Sequence, residues 1–207
     1  TYTARQNAVA KQGNFQISSD TITARYNDNQ GATHIFQMEA AKNVVIVSPP
    51  YTAYGDQAVY DVAEDRATLT GQDLRIVTET EKLTAKDRVE FFSKENRMVA
   101  SGGATAKRGT DSLKAEKMEA FFQKNAEGTL KVDRITAEGG VTIRTEKETV
   151  TGDRGDYNIG TKKAVLTGRV KIHQGESWLE GTRAEIDLNT GISQLIAEGN
   201  TETEGRV

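Results

Sequence analysis

The sequence predicts an all-β protein of antiparallel strands whose sheet folds over on itself. A block of about 30 residues returns six times from end to end, and a repeat of that period sets the architecture before any single motif does. Within each block apolar residues alternate with polar ones, the pattern of strands with one buried face. Small residues recur at the same place in every block, and bends stacked at one level curl a sheet into a V-shaped pair of layers.

Each block reads as a strand opening on a small residue, a turn, and a second strand built around Leu-x-Gly-x-Val-x-Ile. The opening residues are Ser19, Gly55, Ala85, Ala115, Gly152 and Gly181, in steps of 36, 30, 30, 37 and 29. In the first block Ile22, Ala24 and Tyr26 alternate toward a turn at 27–31. Pro49 and Pro50 lack backbone donors and so fall between strands, separating the first block from the second. The second block opens Gly55-Asp56-Gln57-Ala58-Val59-Tyr60-Asp61, a pattern written again at 152–158 and 181–187, and its second strand is 67–71. In the third, Leu83, Ala85, Asp87, Val89 and Phe91 alternate before a strand at 98–102. In the fourth, residues 112–123 contain good helix formers, but their match to 83–85 predicts a strand, with a turn at 125–128 and a partner at 135–139. The fifth adds Val141 and Ile143, then the strand 165–172. The sixth turns at Asn189-Thr190-Gly191, residues tolerant of positive φ, and closes with 195–199. The expected organisation is an N-terminal segment at 1–14, one domain at 15–199 and a charged tail at 200–207.

Hydrophobic residues make up 36% of the 207-residue chain, and the mean hydropathy is -0.60. Both are low for a thick spherical core and fit a thin, elongated, two-layer object. Charged residues are 28% of the chain and balance to a net -3, which gives no electrostatic argument for nucleic acid. Cysteine is absent, excluding disulfides, thiol catalysis and cysteine metal sites. The longest apolar run, 44–47, is strand-sized and far short of a bilayer span. The chain opens Thr1-Tyr2-Thr3-Ala4, with neither initiator Met nor signal sequence, which fits a processed or trimmed terminus.

The run Leu166-Thr167-Gly168-Arg169-Val170-Lys171-Ile172-His173-Gln174-Gly175, followed by the strand opening at Leu179-Glu180-Gly181, resembles the OstA-like family of lipopolysaccharide transport proteins. That group includes the periplasmic bridge LptA, its inner-membrane neighbour LptC and the N-terminal domain of the outer-membrane LptD. The resemblance covers nearly the whole chain and implies a folded-over antiparallel β-jellyroll, a periplasmic location, and lipopolysaccharide carried with its acyl chains in a groove. It also implies LptC-like and LptD-like partners and head-to-tail self-association through terminal strands, with no enzymatic activity and no cofactor. The LptA-like form is the expectation, with an LptC-like protein or an LptD N-terminal domain as the neighbouring alternatives.

The residues expected to face the groove are Ile22, Ala24, Val44, Ile46, Tyr60, Leu74, Ile76, Val89, Phe91, Met118, Val141, Ile143, Tyr157, Val170, Ile172 and Ile186. Alternation alone is equally satisfied by a closed core holding no lipid, as in a structural β-repeat protein. Phe15 and Ile17 at one end, and Leu195, Ile196 and Ala197 at the other, are the expected assembly edges; a charged edge that blocks association is the competing reading. Lys107, Arg108, Lys162, Lys163, Arg169 and Lys171 are candidates to meet phosphates, or are ordinary turn and outward-face cations.

Other motifs carry no chemistry. His34 and His173 lie in different blocks without metal-ligand spacing, so no metal is expected. Arg154-Gly155-Asp156 falls inside the repeated strand pattern, and 102–107 lacks the Gly-Lys-Ser/Thr ending of a phosphate loop. Carboxylates are plentiful, but six similar blocks leave no unique catalytic site. Trp178 is expected to pack at the edge of the last block.

Overall fold

The computed structural model describes residues 1–29, 32–126 and 128–196. The strands are β1 (Tyr2–Gln12), β2 (Phe15–Asn29), β3 (Ala32–Ser48), β4 (Tyr51–Asp61), β5 (Arg66–Thr70), β6 (Arg75–Val77), β7 (Glu81–Thr84), β8 (Arg88–Phe92), β9 (Arg97–Arg108), β10 (Asp111–Lys124), β11 (Leu130–Arg144), β12 (Thr149–Asn158), β13 (Lys163–Gln174), β14 (Ser177–Asp187) and β15 (Ile192–Ile196). They form one 15-stranded sheet in which chain neighbours pair, apart from the centre, where β6 bonds to β4 and β7 bonds to β9. Residues 112–123 lie within β10, so cross-strand packing overrides their helix propensity.

The sheet bends at one level in every strand. The pairing register shifts between Arg5 and Ala8, Ser18 and Thr21, Ala41 and Val44, Lys114 and Lys117, Glu138 and Val141, Thr151 and Arg154, and Thr167 and Val170. Alternate strands cross this level on two successive left-handed residues: Gln6-Asn7, Lys42-Asn43, Gly102-Gly103, Gly139-Gly140 and Gly168-Arg169. The strands between them cross on the small residues that open the sequence blocks. Across the bend, inward residues are four apart on the left-handed strands, as in Ala40 to Val44 and Leu166 to Val170, and three apart on their neighbours, as in Gly152 to Gly155. One extra residue per pair is a bulge, which bends its strand and increases twist.

The neighbouring strand presses on the bend at Gly71, Gly102, Gly139 and Gly168. A Cβ on Gly139 would lie 2.7 Å from Glu116 Cβ, and one on Gly71 would lie 2.5 Å from the Asp56 backbone nitrogen. Acidic residues follow the small ones and hold the bend: Asn43 donates to Asp20 at 3.0 Å, the Gln72 backbone N–H donates to Asp56 at 2.8 Å, and Arg169 forks onto Asp153 at 2.7 Å.

At the centre each strand carries one residue more. Leu69 to Leu74 spans five positions and Ala85 to Val89 spans four, so both strands break, giving the separate pieces β5, β6, β7 and β8. The first arm, beyond the bend, thus contains β6, β7 and the parts of the long strands paired with them. The second arm contains β5, β8 and the remainder.

The two arms face each other. At the bend, Val141 lies 3.2 Å from where a Gly155 Cβ would stand on the second arm. Tyr51 meets Phe122 edge-on with ring centroids 5.8 Å apart, and Ser193 donates to Glu148 across the opening. Val141, Val150, Leu166 and Val170 between the arms are completely buried.

Replacing Gly139 and Gly140 separately by Ala tests the bend. Both occupy left-handed backbone, but nothing lies within 4 Å of a Cβ on Gly140. Gly140→Ala is expected to cost about 1 kcal/mol. Gly139→Ala, which also drives a Cβ into Glu116, is expected to cost at least about 2 kcal/mol by urea denaturation.

Candidate functional site

The inward faces carry cross-strand rows of apolar side chains that run the length of the sheet. On the first arm, paired positions follow Ala10, Ile17, Ile46, Ala53, Ile76, Leu83, Ala106, Leu113, Ile143, Val150, Ile172 and Leu179. The second arm has one row from Ile22 through Ala58, Val89, Met118 and Leu166 to Leu195. A parallel row nearer the rim runs from Ala24 through Tyr60, Phe91, Met98, Ile135 and Tyr157 to Ile186. The line at the bend itself is Ala8, Val44, Leu74, Ala104, Val141 and Val170.

Every groove residue expected from the sequence stands in one of these lines. Ile46, Ile76, Ile143 and Ile172 are on the first arm, and Val44, Leu74, Val141 and Val170 are at the bend. Ile22, Val89 and Met118 are in the deeper row of the second arm, and Ala24, Tyr60, Phe91, Tyr157 and Ile186 are in its rim row. Sequence reading missed their partners Leu83, Leu113, Met98, Ile135, Val150 and Leu166, of which the last two are fully buried. Aligning the two strands of each hairpin about its turn would have found them.

Polar chemistry is confined to the margins. Among the described residues no buried side-chain polar atom lacks a partner, and no cluster of metal-ligating residues forms. The buried Ser19 hydroxyl donates to the Thr21 carbonyl at 2.8 Å. At the rim, Tyr60 donates to Asp65 at 2.6 Å, and that bond pushes its hydroxyl up to about 12. Burial raises Tyr51 and Tyr157, and the Tyr51 hydroxyl also meets the Val132 backbone on the opposite arm.

The outer face of the second arm is a ladder of matched charges. Glu39 pairs with Arg25, Glu90 with Arg66 and Arg88, Glu119 with Lys117 and Arg97, Asp156 with Arg134, and Glu185 with Arg183. The cations singled out from the sequence are not gathered at one place. Arg169 is on the bend with Asp153, Arg108 faces Glu81, and Lys171 faces Glu180, while Lys162 and Lys163 are at a second-arm turn and Lys107 is on the outer face of the first arm.

The N-terminal edge differs from the expected one. Phe15 and Ile17 lie in β2, which pairs with β3 on one side and with β1 on the other, so among the described residues the free edge is β1. The cause is the segment before residue 15, which is long enough to add a strand of its own and does so from Tyr2 to Gln12. Leu195 and Ile196 lie in β15, which has no further neighbour among the described residues; Ala197 lies outside them. Large apolar side chains are exposed at both ends, Tyr2 (69%) and Val9 (54%) at one, Trp178 (58%), Leu179 (59%) and Ile192 (61%) at the other.

The family model described as "LptA/(LptD N-terminal domain) LPS transport protein" matches this chain at residues 1–90, 84–192 and 149–206. The chain belongs to that family. The first two matched stretches overlap at 84–90, where β7 ends and β8 begins. An uncharacterized protein of Rhizobium meliloti (strain 1021), R00383, is 26% identical over 118 residues, which are 55% of this chain and 63% of the relative's length. Among solved structures, LptH of Pseudomonas aeruginosa, described as the LptA-homologous periplasmic component of the lipopolysaccharide transport device, matches with a TM-score of 0.50 at 16% identity. The match spans 89% of LptH but 61% of this chain, so this family member carries the same fold on a longer sheet.

The outer ladder yields a pH dependence. Lys117 first, then Arg97, hold the Glu119 carboxyl below its ordinary value of 4.5. A carboxyl depressed on folding stabilises fully above its unfolded value and loses that contribution as pH falls through its folded value. Thus Glu119→Gln is expected to be less stable than the parent at pH 7, with the gap narrowing below about pH 4.5 in denaturation curves taken at several pH values.

Proposed function

We propose that the protein is a non-enzymatic bridge that carries lipopolysaccharide across the periplasm with its acyl chains along the inward apolar rows. The observation that supports this is the continuity of those rows, which no ion pair or buried polar network interrupts among the described residues. A buried methylene is worth about 0.8 kcal/mol, so a lipid with several acyl chains stays out of water only if apolar wall continues at every step. Rows without a fixed polar anchor let the lipid slide, since no strong point contact has to be broken. The chain spans 63% of the length of its Rhizobium relative, and the partners are part of the same proposal: LptC-like and LptD-like proteins, and further copies joined head to tail. Strand addition at β1 and β15 is the proposed joint, because neither edge has a further strand among the described residues and both carry exposed apolar side chains.

Complete burial of Val141, Leu166 and Val170 favours a second reading, a closed core that holds nothing. The carrier reading requires the arms to part at the Tyr51–Phe122 and Ser193–Glu148 contacts. Photo-crosslinking probes at Ile76, Val141 and Ile172, with labelled lipopolysaccharide, separate the two. The carrier predicts adducts from all three positions and none from an outward control at Thr151; silence from every inward position sinks it. For the joint, light scattering behind size exclusion is expected to show mass rising with concentration, and a strict monomer at high concentration would count against strand addition.

A further inference from the structure

The outer face of the first arm is charged differently from that of the second. Its two outward rows contain Lys11, Arg75, Lys82, Lys107, Lys114, Arg144 and Lys171; among the described residues Glu180 in these rows holds Lys171, and Asp73 just before β6 holds Arg75. On the second arm every such cation row is matched by acids; here Lys82, Lys107, Lys114 and Arg144 have no ion-pair partner among the described residues.

Lys82 and Lys107 are direct cross-strand partners on β7 and β9. Like charges placed directly opposite each other destabilise a sheet, and Thr or Ser at either position would remove that penalty without disturbing the alternation. Beyond Lys107 the row continues through Ser112 to Arg144, so a third cation stands two strands away. Two surface hollows meet at this lysine pair. The smaller, of about 110 Å³, is lined by Lys82, Thr84, Thr105 and Lys107. The larger, of about 320 Å³, adds Thr78, Thr80 and the backbone turn at Gly109. Glu79 and Glu81 also border the larger hollow, but Glu81 is turned to Arg108 on the inward side of the strand. The smaller hollow has no carboxylate in its lining.

We propose that Lys82 and Lys107, with the hydroxyls of Thr84 and Thr105, form a binding site for a phosphate group. Two ammonium ions and the Thr105 hydroxyl border the small hollow, and the Thr84 hydroxyl, which donates to the Thr105 carbonyl at a long 3.5 Å, turns to the oxyanion when it binds; the anion removes the repulsion between the lysines. The site is on the outside of the arm, separate from the apolar rows. A phosphate reaches it free in solution or on the headgroup of a lipid whose chains lie between the arms; the second source rests on the carrier reading above.

Calorimetric titration of the full chain with inorganic pyrophosphate at low salt tests the site. The parent is expected to bind saturably, Lys82→Gln and Lys107→Gln each to bind more weakly, and the double variant at least tenfold more weakly. Lys163→Gln on the second arm is the control and should bind as the parent does. Because substitution relieves a like-charge pair, the double variant should melt no lower than the parent. Absence of saturable binding, or equal binding by parent and double variant, overturns the proposal. Flotation with phosphatidylcholine vesicles doped with lipopolysaccharide assigns the source. Weaker capture by the double variant identifies the headgroup, and unchanged capture with the pyrophosphate effect retained identifies free phosphate. The titration does not involve the groove, so its failure and failure of groove crosslinking are separate results.

Discussion

The pair of left-handed residues that recurs at one level in β1, β3, β9, β11 and β13 is the constraint on which the rest of the structure depends. One extra residue in each of these strands keeps its inward positions four apart, and so in one phase of the alternation, where the neighbouring strands cross the bend with three and change phase. Without it, a strand inward on one arm would be outward on the other, since a single-residue slip flips every following side chain. The bulge therefore both turns the corner and keeps the apolar face continuous around it. Glycine is used where the neighbouring strand comes closest, as at Gly139 against Glu116, while Gln6-Asn7 and Lys42-Asn43 cross the same level with side chains present.

Burial supplies most of the stability. The matched charges outside the second arm range from part-buried, as at Glu90 and Glu119, to exposed, as at Arg134 and Arg183, and exposed pairs contribute little each. Beneath them, alternating Ala with larger residues lets the arms approach: Ala137 and Gly155 stand between Met118 and Leu166 in one row, with Val141 packed over Gly155. A thin core of this kind accounts for the low hydrophobic content, because each strand contributes only a few inward positions.

Much of this was legible in the sequence. The six opening small residues all lie on the bend, and the glycines of the second strands, Gly71, Gly102, Gly139 and Gly168, lie beside them. Ile17 and Ser19 alternate in one phase and Ile22 and Ala24 in the other, and that irregularity, present in the sequence, is the register change itself, which takes the neighbouring strand to interpret. β1 escaped notice because its inward residues Ala4, Ala8 and Ala10 are small and it lacks a glycine at the bend. The Tyr51–Phe122 closure joins residues far apart in the chain, from opposite arms, and no local period encodes it. The lysine pair on the outer face required strand register, which periodicity alone does not supply.

The extra residue in each of the two central strands has a mechanical consequence. In β1 to β4 and β9 to β14 a continuous strand runs through both arms, so any shear of one hairpin against the next is shared along its whole length. Between β4 and β9 that continuity is carried only by the links at 71–74 and 85–87, while β5 with β8 and β6 with β7 form two short, independent ladders. Torsional stiffness follows the bonded length, so this line is the softest across the sheet. Were such chains stacked end to end as proposed, the rod would flex once per subunit at a fixed interval, as a jointed tube does, instead of curving evenly along its length.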